Sequence, residues 1–294
     1  MRRIAALAPL ALMAASLAAA EEPTLAARRS RFEAWLGGSW TDPLLDTAYA
    51  TRYSPTFDFG RPAETTAGQS LTVRADGTIG GEIGVGWSPD ARWNFRLTAD
   101  RASSSLSGVN TPYAWSVRFV ARPPPSNEPQ TIEVAQSLDW PDTQGELRVT
   151  TFALGISRRW QGRRVGGGVF AGGALLRASG EMRSLGFTAL HLGGHSTFFT
   201  QEFEVEAALD PSTSAGFHVG GDVDVALSRS WRLRLAYRYL HASHTVTPRV
   251  TRVVNAEEIL LDEPLSRIES ELALKPLDLD LSSSRLLLSL VFRR

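Results

Sequence analysis

Residues 79–87 read IGGEIGVGW and, after the short segment SPDAR, residues 93–99 read WNFRLTA. In each stretch apolar residues take every second position, and glycine, polar or charged residues take the positions between them. Alternation with a period of two is typical of a β-strand with one apolar and one polar face. Two such stretches joined by a short turn predict an antiparallel hairpin. The same alternation recurs along most of the chain.

Composition narrows the function classes. The chain has 294 residues, with 31 Lys and Arg against 31 Asp and Glu, and it contains no Cys. Its length suits one all-β barrel as well as two smaller domains. Balanced charge argues against a nucleic-acid-binding protein, which normally carries a basic excess. The lack of Cys excludes disulfides, thiolate metal sites and cysteine nucleophiles.

The N-terminus has the three parts of an export signal. Arg2 and Arg3 precede an apolar stretch at 4–17, and three alanines follow at 18–20. This order predicts a secretory signal peptide over residues 1–20. A membrane-anchor helix is the alternative, but Pro9 interrupts an apolar stretch that is short for a span. We expect residues 21–294 to form an exported β-barrel domain.

Strand and loop lengths favour a transmembrane barrel over a soluble sandwich. The alternating stretches last about ten residues, the length that a tilted strand needs to cross a bilayer. Three connections are very short, at 88–92, 161–163 and 228–230, whereas those at 42–77, 102–145, 178–213 and 242–281 are long. We predict an all-β, eight-stranded antiparallel up-and-down barrel with periplasmic turns and long extracellular loops. Its strands lie at 31–41, 78–87, 92–101, 147–160, 164–177, 215–228, 231–241 and 284–293.

Two further alternating stretches leave a larger barrel open. They lie at 113–120 and 198–208, and the prolines at 123–125 suit a hairpin tip. They are either extracellular extensions or additional spanning pairs, which would give ten or twelve strands.

Aromatic residues mark the end of the barrel that carries the short turns. A band of aromatics at the membrane interface is a feature of outer-membrane barrels. The predicted aromatic girdle consists of Trp87, Trp93, Trp160, Trp231 and Phe292.

The polar faces of the strands combine glycine with charge. In a lumen barely wide enough for side chains, charges must pair, because an unpaired buried ion costs several kcal/mol. We expect an ion-paired plug, with Asp224 opposite Arg234; the alternative is a narrow pore. The predicted inward residues are Glu33, Glu82, Asp100, Asp222 and Asp224 together with Arg96, Arg159, Arg232, Arg234, Arg238 and Arg285.

The last strands carry a family resemblance. Residues 235–240 read LAYRYL, and the final strand ends near Phe292. With the signal peptide and the eight-strand pattern, they resemble small outer-membrane barrels of the outer-membrane protein A and opacity-protein type. Such chains usually end on the aromatic residue, whereas here Arg293 and Arg294 follow it.

One pair of residues suggests catalysis. His241 and Ser243 lie two apart near the end of a strand and therefore face the same way. This His-x-Ser pair is similar to the site of lipid A 3-O-deacylase and outer-membrane phospholipase A, where His acts as a base on a Ser nucleophile. Glu257 or Glu258 would be the orienting acid, but His244 stands where those families carry Asn.

Taken together, the sequence predicts a non-enzymatic protein of the outer membrane of a Gram-negative bacterium, with a structural or surface-interaction role. The expected partners are outer-membrane lipids, lipopolysaccharide and the barrel assembly machinery, and we expect a monomer without a cofactor or metal. A lipid hydrolase and a narrow pore are the alternatives. His191 and His195 form a weak candidate metal pair in a glycine-rich loop.

Overall fold

A computed structural model describes residues 31–43, 46–55, 63–122, 125, 127–162, 164–192, 198–255 and 264–294. The predicted signal peptide at 1–20 lies outside these residues, as do Pro123 and Pro124. The described elements, in chain order, are β1 (Arg31–Pro43), β2 (Asp46–Tyr53), β3 (Ala63–Ala75), β4 (Thr78–Ser88), β5 (Trp93–Gly108), β6 (Tyr113–Ala121), β7 (Gln130–Leu138), β8 (Thr143–Gln161), β9 (Val165–Leu192), β10 (Phe198–Ala226), β11 (Trp231–Val246), β12 (Pro248–Val254), α1 (Leu265–Leu272), β13 (Leu277–Asp280) and β14 (Ser283–Arg293).

Eight of these strands form a closed ring. The order around it is β4, β1, β14, β11, β10, β9, β8 and β5, and β5 pairs with β4 to close it. Ring strands that neighbour each other in the sequence also pair in space, and all of these pairings are antiparallel. The predicted eight-stranded up-and-down barrel is therefore confirmed. The stretch at 113–120 becomes β6, and that at 198–208 is the outer part of β10, so neither adds a strand to the ring.

The predicted alternation places apolar side chains outside the ring. On β11, Leu233 and Leu235 are 41 and 50% exposed, whereas Arg234 between them is fully buried. Leu36, Leu154 and other large apolar residues are also exposed on the ring strands, and together they form an apolar belt around the barrel. Exposed apolar surface of this extent suits contact with lipid rather than water.

Tight turns close one end of the barrel. At the turn between β4 and β5, the Asp90 carboxylate accepts the backbone N–H groups of Arg92 and Trp93, both at 2.7 Å. This Asx-type turn explains why so short a connection suffices. On the outer surface beside the turns, the ring of Trp87 stacks on Phe95 and that of Trp231 contacts Phe292, with centroids 5.7 and 5.1 Å apart.

The long connections fold into regular structure at the opposite end, which we call the cap. It comprises β2, β3, β6, β7, β12, β13, α1 and the distal parts of β5 and β8–β11. Strands β9 and β10 are 28 and 29 residues long, because they continue to pair with each other beyond the ring. Of these connections, the stretches at 113–120 and 198–208 form strands outside the ring, as one of the two predicted alternatives has it, whereas the remaining strands of the cap lie where loops are predicted.

Apolar side chains fill the inside of the cap. Tyr113, Phe187 and Met182 are at most 2% exposed, and the ring of Tyr53 stacks on that of Phe187 at 5.5 Å. Helix α1 seals one side with its fully buried Ile268. None of the helices among the described residues is long and apolar enough to cross a membrane.

Hydroxyl groups are buried within this apolar core as a closed set. The Tyr53 and Tyr113 hydroxyls lie 2.6 Å apart, Tyr113 contacts the Thr188 hydroxyl at 2.6 Å, and the Thr188 N–H donates to the Tyr53 oxygen at 2.7 Å. Burial raises the pKa of Tyr113 to about 12 and that of Tyr53 well above its usual value. Burial likewise raises the pKa of Tyr49, which donates to the Lys275 carbonyl, to about 12.

These tyrosines make the cap sensitive to alkali. A tyrosine whose pKa is higher in the folded chain stabilises it fully below the unfolded pKa of about 10, and this stabilisation is lost as pH rises towards 12. We expect the cap to lose about 2 kcal/mol over this range through Tyr113. Tyrosinate absorbance and near-UV circular dichroism would follow the transition. Tyr113→Phe should reduce the alkaline loss, and equal cap stability at both ends of the range would contradict the assignment.

Candidate functional site

The interior of the ring holds equal numbers of opposite charges. Its ten fully interior ionic side chains are each at most 5% exposed, and five are acids and five arginines. They are Glu33, Glu82, Asp100, Asp222 and Asp224, with Arg96, Arg159, Arg234, Arg238 and Arg285. Arg232 and Arg293 lie nearer the mouth at the turn end, each with a side chain 13% exposed. Of the eleven residues predicted to face inward, ten are therefore buried inside the ring and Arg232 lies near its mouth.

Two carboxylates organise the ions near the turn end. Glu33 accepts from Arg234 at 3.0 Å and from Arg293 at 3.1 Å. Asp224 accepts from Arg159 at 2.5 Å and from the Nε of Arg232 at 2.9 Å. Each acid thus bridges two guanidinium groups, and charge-assisted bonds of this kind are among the stronger ones.

The predicted pairing of Asp224 with Arg234 is confirmed. The two residues are register partners between β10 and β11, and their charged groups form an ion pair at 3.9 Å. Arg234 is closer to Glu33. A long arginine side chain extends past its immediate cross-strand neighbour, so it reaches Glu33 on β1, two strands away.

A second set of ions lies farther towards the cap. Arg238 binds Glu82 at 2.5 Å and Asp100 at 3.4 Å, while Arg285 binds the other oxygen of Asp100. Between the two sets, Arg96 binds Asp222 at 2.7 Å. Through Arg159, which lies 3.5 Å from Asp222, this pair belongs to the set at the turn end, so the ion pairs form two sets along the barrel axis.

Trp35 connects the two sets and was not among the predicted site residues. Its indole N–H donates to Glu82 at 2.9 Å, and the guanidinium carbons of Arg96 and Arg234 lie 5.0 and 5.2 Å from its ring centroid. These distances suit cation–π contacts. The signal was present in the sequence, because Trp35 follows the inward Glu33 by two positions and so shares its face. Gly84 leaves space for the indole, which a Cβ there would overlap.

Glycine also makes room for the charged side chains themselves. A Cβ on Gly86 would lie 2.9 Å from the Cγ of Glu33, and one on Gly166 would lie 2.6 Å from an Asp224 oxygen. This explains why glycine and charge alternate on the same faces. Small and long residues together fill the lumen, and the filled, neutralised interior suits a plug rather than a channel.

The predicted catalytic pair is not brought together. His241 and Ser243 are both exposed on the outer surface, but the His241 Nδ1 lies 2.9 Å from the Ser282 hydroxyl. Residues two apart on a strand are about 6.6 Å apart, whereas a cross-strand neighbour is nearer. Ser282 is buried, and its backbone N–H donates to the Asp280 carboxylate.

Four other candidate side chains lie outside the part of the chain that the structure describes. Glu257, Glu258, His195 and the side chain of His191 are not among the described positions. Within the part of the chain that is described, no three His, Asp or Glu side chains are grouped as metal ligands.

The girdle residues lie at one level of the outer surface. Trp87, Trp93 and Trp231 are each 42 to 43% exposed, and Phe292 is 39% exposed. Trp160 is half-buried on the same side, where it lies over Gly167 of β9. The structure thus places all five at the turn end.

Comparisons with known proteins give limited likenesses. No protein-family model and no curated protein matches the sequence. The outer membrane protein OprG from Pseudomonas aeruginosa is similar in structure at a TM-score of 0.42 and 10% identity, over 91% of this chain and 97% of that one. The outer membrane protease OmpT from Escherichia coli matches at a TM-score of 0.28 and 6% identity, over 92 and 97%. With both scores below 0.5, neither protein is evidence for the activity of this chain.

Removing one ion of the lumen tests the network. Arg234→Ala leaves Glu33 with fewer partners in a buried site, and we expect it to lower the free energy of unfolding by about 3–5 kcal/mol. Arg252→Ala is the control, since its pair with Glu206 is half exposed, and we expect a loss of at most about 1 kcal/mol. Urea unfolding in lipid vesicles would measure both. Equal effects of the two variants would mean that the interior pairs do not hold the barrel together.

Proposed function

We propose that this protein is a non-enzymatic outer-membrane β-barrel of the Gram-negative cell envelope that presents its cap to the outside. The observation that carries the proposal is the ring of eight strands, apolar on its outside and filled with ion pairs on its inside. A signal peptide at residues 1–20 would export the chain, and the barrel assembly machinery would insert it.

The surface of the ring supports membrane residence. In water an apolar belt of this size would drive aggregation, whereas in lipid it is the expected outer face of a barrel. Every backbone group of a closed ring can find a partner within the sheet, which a membrane-spanning structure requires. The girdle residues, among them Trp93 and Trp231, would mark the interface on the turn side.

The two ends of the barrel suggest its orientation. Outer-membrane barrels have short periplasmic turns and longer extracellular connections. By this rule the turns at 89–92 and 227–230 face the periplasm and the cap faces outward. The folded cap would then be the part of the protein that meets lipopolysaccharide and the medium.

A groove on the cap supports a surface-interaction role. It has a volume of about 430 Å³, opens to solvent, and lies between β2, β3 and the segment at 111–114. Its lining is mixed and includes Arg52, Thr66, Ser70 and Thr111. Polar donors and acceptors in a concave surface suit a small polar ligand or a sugar.

The proposal predicts a penalty that depends on depth in the membrane. Leu235 lies midway along the outer face of β11, so Leu235→Arg should lower stability by about 2–4 kcal/mol in vesicles. The matched variant Leu227→Arg, at a turn where the side chain is 60% exposed, should cost about 0–1 kcal/mol. Recovery of the wild-type chain as a soluble periplasmic protein, or equal penalties for the two variants, would contradict membrane residence.

The proposal also predicts that the barrel neither conducts ions nor hydrolyses lipids. Purified protein in planar bilayers should give no stable conductance, because the interior ions fill the lumen. The same preparation should release no fatty acid from phospholipid or lipid A, because His241 is hydrogen-bonded to the buried Ser282 and not to the exposed Ser243. Large conductance steps would favour the pore. Release that Ser243→Ala or Ser282→Ala abolishes would favour a hydrolase.

A further inference from the structure

Arginine dominates the turn end of the barrel. Among the described residues, six arginines of this end are not part of the ion network inside the ring, and we call them the arginine collar. They are Arg31, Arg92, Arg158, Arg164, Arg229 and Arg294. Five are exposed, and Arg31 is half-buried and donates to Gln161 at 3.0 Å.

The collar has almost no acidic counterpart. Asp90 is the one carboxylate on the described turns of this end, and both of its close contacts are the backbone N–H groups that shape its own turn. The interior acids are no substitute, because Glu33 and Asp224 are already bound to other arginines. Positive charge at this end is therefore left for an external anion.

The position of Arg158 indicates where such an anion would bind. It is exposed on the outer face of β8, two positions after Ile156, which belongs to the apolar belt. Its register partners are Trp93 on β5 and Val169 on β9, and both are exposed on the same outer surface. A guanidinium on a lipid-facing surface extends towards the interface, where phosphate groups can bind it.

The collar also lies at the level of the aromatic girdle. Trp93 adjoins Arg158 and Arg92, while Trp231 follows Arg229 by two residues. Tryptophans of this kind sit at the level of lipid headgroups. The arginines are distributed over three turns and the paired ends of β1 and β14, so they surround the barrel instead of forming one patch.

We propose that the arginine collar binds the phosphates of anionic phospholipids in the periplasmic leaflet. The inference rests on the proposed function, since it requires a barrel inserted with its turns towards the periplasm. Arginine forks match phosphate oxygens well. An acidic periplasmic polymer is the competing partner, but it would not account for Arg158, which faces sideways into the lipid instead of down into the periplasm.

Competition between two lipids tests the collar. The full-length protein is mixed in mild detergent with equal amounts of phosphatidylglycerol and phosphatidylcholine, and native mass spectrometry counts the lipids retained. Because anionic headgroups attract arginines near the membrane surface, we expect a preference for phosphatidylglycerol of at least about tenfold. High salt should weaken this preference.

Two four-site variants separate the collar from charge in general. The collar variant carries Arg92→Gln, Arg158→Gln, Arg164→Gln and Arg229→Gln. The control carries Arg101→Gln, Arg118→Gln, Arg177→Gln and Arg249→Gln, which are exposed arginines nearer the cap. The collar variant should bind both lipids equally, and the control should keep the wild-type preference. Flotation with phosphatidylcholine vesicles shows independently that each protein inserts.

The outcomes distinguish the inference from the function on which it rests. A chain that does not float with vesicles overturns the proposed membrane residence. A chain that inserts without any preference for phosphatidylglycerol, or a collar variant that keeps the preference, overturns the collar alone. Collar-dependent binding to purified peptidoglycan sacculi in place of the anionic lipid would assign the collar to an acidic polymer.

Discussion

The burial of ten charges inside a closed ring is the constraint on which the rest of the barrel depends. An uncompensated ion in such an interior costs several kcal/mol, so each carboxylate must meet its guanidinium. A shift of one residue in a strand that carries these charges would turn them to the outside of the barrel and its apolar residues inward. The ion pairs also join strands that are not neighbours, as Glu33 on β1 binds Arg234 on β11 and Arg96 on β5 binds Asp222 on β10. They therefore fix the relative register of the seven ring strands that carry them.

The alternation of side chains reverses its polarity where the strands enter the cap. In the ring, β11 points leucines outward and arginines inward. Farther along the same strand, the inward positions hold Leu240 and Val246, while the outward positions hold Ser243 and Thr245. The outer face of this one continuous strand is thus apolar in the first part and polar in the second, which suits contact with lipid in the first part and with water in the second. The change from a charged interior to an apolar one follows directly, and the cap core lies on top of the ion network.

Sequence periodicity predicts the strands of the ring but not the side-chain contacts inside it. Alternation and short turns located all eight strands, since both are local properties of the chain. Arg234 lies closer to Glu33 than to Asp224, and His241 contacts Ser282. Both contacts depend on distances across the lumen or between strands that are distant in sequence. Most of the cap strands are not predicted, for a related reason: they pair with segments distant in sequence. Along β11 the polarity of the alternation reverses near residue 241, and a reversal of this kind predicts the end of a strand, whereas β11 continues to Val246.

A formal net charge of zero conceals an uneven distribution along the barrel axis. The fully interior charges balance each other, so they cannot neutralise either end. The turn end is rich in arginine, whereas exposed acids such as Glu64, Glu133 and Glu181 lie in the cap. In an inserted barrel the two ends meet different surroundings, and each must find its counter-ions there. Because Arg158 is exposed on the outer face of the wall, the proposed counter-ion on the turn side is the phosphate of a lipid, at the depth that the aromatic girdle would mark.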